Sequence, residues 1–215
     1  MKKKILTILL IGVLAVTLTG CGKKVVIQNN PIQNNTKTEK VDAINDNSSY
    51  FIKIKGKKFS AGDKISSVSK VGLKQDSRYL DQKVNKNTYL IGGGTIYNSS
   101  DKRVMSMTPF NTTSEAITVK DAVIGGLEVG EYEYDKISAE VLELNVEVVG
   151  GIKLGSTLKD IEKVFGKTTD TYYADSLGYT TYTYKSSEVY RSYEFTIGKD
   201  GKVSKIRWQN LVFNR

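Results

Sequence analysis

Cys21 is the one thiol in the sequence, and it follows Leu18-Thr19-Gly20 at the end of an apolar run. A thiol there can be acylated, but without a second cysteine it cannot form an intrachain disulfide. The chain contains no histidine. The usual general base near neutral pH is therefore missing, and with it the histidine-dependent triads and any Cys/His zinc site. Gly92-Gly93-Gly94-Thr95 has the glycine density of a phosphate loop but lacks the Lys-Ser/Thr ending and a following helical pattern. No serine stands in a Gly-x-Ser-x-Gly context. These residues point away from an enzyme and from a bound cofactor.

Two other groupings have the residue types for binding. Glu128, Glu131, Glu133, Asp135, Glu140, Glu143 and Glu147 make an acidic stretch interrupted by Lys136. It lacks the Asp-x-Asp-x-Asp-Gly loop of a calcium site, and the alternation Glu143, Asn145, Glu147 fits a solvated strand face. Tyr172, Tyr173, Tyr179, Tyr182, Tyr184, Tyr190, Tyr193 and Trp208 crowd the C-terminal third. A half-buried sheet absorbs about half of such a set. The remainder would form a protein-binding patch, since tyrosine and tryptophan give large contact area at low entropic cost. Tyr179, Tyr182, Tyr184, Tyr190, Tyr193 and Trp208 are the residues expected to contact a partner.

At the N-terminus, Lys2-Lys3-Lys4 precedes an uncharged run from Ile5 to Leu18. That order is the pattern of an export signal, and the run is short for a permanent span, which needs about 20 residues. Leu18-Thr19-Gly20-Cys21 resembles the lipobox of bacterial lipoproteins. The resemblance implies cleavage ahead of Cys21 and diacylglycerol, with palmitate-type chains, on its sulfur. Two or more acyl chains anchor stably where one would bind only marginally. The expected location is the extracytoplasmic face of a cell membrane, with the membrane itself as one partner through the N-terminal lipid.

The elements that carry these residues begin after a linker. Residues 1–20 read as the signal peptide and residues 21–49 as a flexible tether, rich in Asn, Gln, Lys and Thr without apolar periodicity. The sequence holds 32 Lys and Arg against 23 Asp and Glu, and it stays basic without the three signal lysines. Nucleic acid is not an expected partner, because the lysines are scattered and the chain is read as exported. Residues 50 to 215 are enough for one good core or two small ones.

Within them, Gly62, Ile65, Val68 and Val71 match Gly155, Leu158, Ile161 and Val164 at one constant offset, and Phe51–Lys55 matches Leu144–Val148 at the same offset. Such self-similarity predicts two copies of one unit. In the second copy, Thr157 and Asp160 are spaced to cap a short helix, Gly166 is placed to end it, and Asp200-Gly201 signals a hairpin turn. The predicted fold is α+β: two tandem units, each a short helix packed on an antiparallel meander, over residues 50–143 and 144–215.

The run GGIKLGSTLKDIEKVFGK, followed by a tyrosine-rich segment ending in FTIGKDGKVSKI, resembles the small bacterial lipoprotein domains of the BamE and SmpA type. Those domains, and the similar tandem β-lactamase inhibitor protein fold, lay short helices on an antiparallel sheet. The matching positions are Gly151, Leu154, Gly155, Leu158, Ile161, Val164, Phe165, Gly166, Asp200, Gly201 and Val203, and Thr168 stands where the family often has proline. The resemblance implies a structural motif without a catalytic group. The expected function is protein–protein interaction in the cell envelope with an unknown envelope protein. A scaffold or assembly role within an envelope complex is the alternative, and an envelope hydrolase is ranked last.

Overall fold

A computed structural model describes residues 42–187 and 190–212, all within one unit, Glu39–Arg215. The signal peptide, Cys21 and the tether up to residue 41 lie outside the described residues. Residues 42–49, expected as the end of the tether, are part of the fold. Ile44 accepts the Tyr50 hydroxyl at 2.7 Å, and Ser49 accepts that of Tyr193 at 2.7 Å.

β1 (Phe51–Ile54) and β2 (Lys57–Ser60) form a hairpin. Its turn, Lys55-Gly56, takes positive φ at both residues, as a primed two-residue turn requires. A 3₁₀ segment, Ile65–Val71, follows and stops at the left-handed Gly72. Then come β3 (Lys74–Gln75), β4 (Lys83–Val84), β5 (Thr95–Tyr97), β6 (Arg103–Phe110), β7 (Ile117–Thr118) and β8 (Val123–Gly130). Two helices, α1 (Ala139–Leu142) and α2 (Leu158–Phe165), precede β9 (Thr171–Ala174), β10 (Tyr179–Lys185), β11 (Arg191–Ile197) and β12 (Val203–Asn210).

The fold corrects the α+β expectation of two tandem helix-on-meander units. The protein is mostly β, built on one eight-stranded sheet in the order β3-β5-β6-β8-β12-β11-β10-β9, with β1-β2 and β4-β7 as small two-stranded sheets. Each neighbouring pair in the large sheet is antiparallel. β8 pairs directly with β12, from Lys205↔Gly130 to Gln209↔Gly126, so no sheet edge separates the two halves of the chain. The first helix also takes another form. Ile65, Val68 and Val71 step by three, which matches the three residues per turn of a 3₁₀ helix.

The repeated segments interlock instead of standing in tandem. Gly62 N–H donates to Ile124 at 2.9 Å, and Ile124 N–H donates to Asp63 at 2.8 Å. The same pattern recurs in the second half: Gly155 N–H donates to Val203 at 2.8 Å, and Val203 N–H donates to Ser156 at 2.7 Å. The matched strand segments face each other. Lys53 N–H donates to Glu147 at 2.7 Å, and Glu147 N–H returns to Lys53 at 3.1 Å.

One hydrophobic cluster draws on both halves, from Ile65 and Val68 to Ile161 and Trp208. α2 begins as the sequence predicts: the Thr157 N–H and hydroxyl both donate to the Asp160 carboxylate, at 3.0 and 2.8 Å. Ile161 and Phe165 turn towards the sheet; Ile161 is fully buried, and the Phe165 ring lies 5.1 Å from that of Tyr193.

Candidate functional site

Strand periodicity sorts the aromatic set onto two faces. Tyr184, Tyr193, Trp208 and Leu127 are successive cross-strand partners, so they share one face, and all four are buried. It is the face covered by α2. Tyr50 stacks on Tyr193 at 5.2 Å and meets Trp208 edge-on at 6.0 Å. Burial pushes the Tyr184 hydroxyl pKa up to about 12 and raises that of Tyr193 well above its ordinary value.

The expectation that Tyr184, Tyr193 and Trp208 contact a partner is therefore corrected. They are core, because the short helix and the Asp42–Tyr50 segment together cover more sheet than one helix can. Tyr182 shares their face and is half-buried. Tyr190 is 50% exposed, in the β10–β11 connection at φ 76. Tyr179 lies on the opposite face, 8% exposed. Of the eight aromatics, Tyr172, Tyr173 and Tyr190 are the exposed ones, and they form no single patch. Tyr172 and Tyr173 are consecutive on β9 and point to opposite faces.

The face opposite α2 has a different character. Thr181, Thr183, Glu194, Lys205, Arg207 and Glu128 present it, all half-buried. Lys205 and Arg207 reach Glu128 and Glu194 at 3.5 Å each. A cleft of about 370 Å³ runs over these residues and is walled by Tyr132, Tyr172 and Tyr179. A second cleft of about 500 Å³ continues from Glu128 and Arg207 to Tyr89, Ile91 and Gly92.

Large apolar side chains stand at both ends of this polar groove: Ile91 is 84% exposed, Tyr172 65% and Tyr132 47%. Tyr132 stacks on Tyr179 with ring centres 4.8 Å apart, and the Lys205 ammonium lies 3.7 Å from the Tyr132 ring centre. Burial and the neighbouring Tyr132 and Tyr172 raise the Tyr179 hydroxyl pKa, against the lowering influence of Lys205.

Sequence reasoning missed Tyr132, Ile91, Lys205 and Arg207. The alternation in β12 carries a signal for the last two: Ser204, Ile206, Trp208 and Asn210 are buried at every second position, while Lys205 and Arg207 lie between them on the other face. Nothing local marks Ile91 or Tyr132.

The other candidate chemistry is dispersed. Gly94 is a close-approach glycine: a Cβ there would lie 1.7 Å from the Met107 carbonyl oxygen, whose N–H bonds back to Gly94 at 2.8 Å. The acidic stretch separates, with Glu128 on the open face and Glu147 paired to Lys53 at 2.6 Å. Among the described residues, no group of three or more acidic, histidine or cysteine side chains gathers as a metal site. Ser67 and Lys70 have a Ser-x-x-Lys spacing, but the Ser67 hydroxyl makes no hydrogen bond in the described fold and lacks the contact that would activate it. No family model, curated protein or solved structure matches the chain.

Proposed function

We propose that the chain is a lipid-anchored protein of the cell envelope whose folded part is a protein–protein interaction module. The observation that carries the reading is the open face of the eight-stranded sheet, a polar groove with Ile91 at one end and Tyr132 and Tyr172 at the other. Exposed tyrosine and aliphatic side chains around preorganised polar groups are the anchors of protein interfaces. Half-buried lysine, arginine and glutamate on one groove select a polypeptide with both charge signs over a simple polyanion. Anchoring rests on the export pattern and on Leu18–Cys21, and it would hold this module near a membrane surface.

The test is photo-crosslinking in cells producing the full chain. A photoreactive side chain is placed at Tyr132 or Tyr172 and, as a control, at Lys159 on the outer side of α2. Crosslinks to one discrete envelope protein from the groove positions, and none from Lys159, support the reading. Equal crosslinking from all three positions, or none from any, contradicts it.

A further inference from the structure

A second surface, remote from the open face in sequence and separate in its residues, gathers positive charge. Lys57 and Lys58 of β2, with Lys64 and Lys70 at the two ends of the 3₁₀ segment, line one cleft of about 500 Å³. Asp63 is the single carboxylate in that lining, and it is already engaged by the Ser60 N–H at 2.8 Å. Elsewhere the described lysines are often neutralised: Lys53, Lys74, Lys163, Lys185 and Lys205 each pair with a carboxylate. None of the four cleft lysines makes an ion pair among the described residues.

The hairpin strand and the 3₁₀ segment that follows it therefore turn a lysine-rich stretch, residues 57–70, into one concave surface. Asp63 in the lining and Asp46 near Lys58 offset part of this charge, and the four ammonium groups around one concavity still outnumber those carboxylates. Lys58 is held in place over the Phe51 ring, 4.2 Å from its centre. Hydroxyl donors share the wall. Ser66, Ser67 and Ser69 line the same cleft; the Ser66 and Ser69 side chains are exposed, whereas the Ser67 Oγ is buried beneath the wall without a hydrogen-bond partner in the described fold. Ammonium groups and hydroxyls around a space of this size offer several donors to one compact anionic acceptor. Lysine binds phosphate as a compact point charge; a free phosphate presents four acceptor oxygens, and a phosphodiester two non-bridging ones with a single negative charge.

We propose that this cleft binds a phosphate-bearing anion, either a lipid phosphodiester headgroup or a free phosphate. The inference stands on the cleft alone and does not depend on the interaction reading of the open face.

Titration calorimetry of the full chain in uncharged detergent tests it with two soluble probes, inorganic pyrophosphate and glycerophosphoglycerol. Saturable binding of at least one probe is expected, weakened tenfold or more in a Lys64→Glu/Lys70→Glu variant and unchanged in Lys159→Glu. Because all three lysines are exposed, their substitutions should leave the thermal melt unaltered, and the melt is recorded for each variant. Tighter binding of glycerophosphoglycerol assigns the site to a headgroup, and tighter binding of pyrophosphate assigns it to a free phosphate. Failure of both probes to saturate, or equal weakening by Lys159→Glu, overturns the proposal.

Discussion

Lys205 places its ammonium 3.7 Å from the centre of the Tyr132 ring, and Tyr132 stacks in turn on Tyr179 at 4.8 Å. At this end of the groove the aromatics thus contact one another and the lysine. Titration should report that geometry. Burial and the two neighbouring tyrosines raise the Tyr179 pKa, while Lys205 lowers it by stabilising the phenolate. Tyr179 should deprotonate above the usual value near 10, and Lys205→Ala should move its pKa higher still. NMR titration of ring-labelled tyrosine reads both shifts, and a downward move in the variant would refute the arrangement.

The α2 cap gives a second pH signature. The Thr157 N–H, the Thr157 hydroxyl and Lys163 hold the Asp160 pKa down to about 2, below the ordinary 3.8. A folded pKa below the unfolded one means that the stabilisation is complete above about pH 4. It is lost as the pH falls through the folded value near 2. Thermal melts across that window should show the wild type losing more stability than Asp160→Asn, which lacks the titrating group. Parallel losses in the two proteins would mean that the cap is not formed.

Ile161 tests how α2 meets the sheet. Its side chain is fully buried in the cluster that spans both halves. Ile161→Ala should cost about 2–5 kcal/mol, through lost burial and the cavity left behind. Denaturant unfolding measures this directly, and an unchanged midpoint would place the helix elsewhere.

Local elements were legible in the sequence and their assembly was not. The capping residues Thr157 and Asp160, the Asp200-Gly201 turn and the repeated Gly62 and Gly155 series are local patterns, and each acts within a few residues of itself. The pairing of β8 with β12 joins residues that are distant in the chain, and no local period specifies it. The aromatics failed for a related reason. Alternation says that Tyr182 and Tyr184 share a face, but how far that face is covered depends on Tyr50 and on residues 42–49, a segment whose composition reads as tether. Tyr50 and Ser49 seal Tyr193 and Trp208 only once the whole sheet has formed.

Lipid attachment is a prediction about Cys21, which lies outside the described residues. Cys21→Ser should abolish incorporation of labelled fatty acid and leave an unprocessed or released chain. Persistent labelling in the serine variant would refute the anchoring reading.

The most direct test of the open-face reading uses two neighbours on one strand. Tyr172 and Tyr173 are exposed to similar degrees, 65% and 61%, yet only Tyr172 belongs to the groove. Dissociation constants for the crosslinked partner are measured with the wild type, Tyr172→Ala and Tyr173→Ala. An anchoring aromatic contributes about 2 kcal/mol, so Tyr172→Ala should weaken binding about thirty-fold while Tyr173→Ala stays near wild type. Equal weakening by both, or loss through Tyr173→Ala alone, would contradict recognition by the open face.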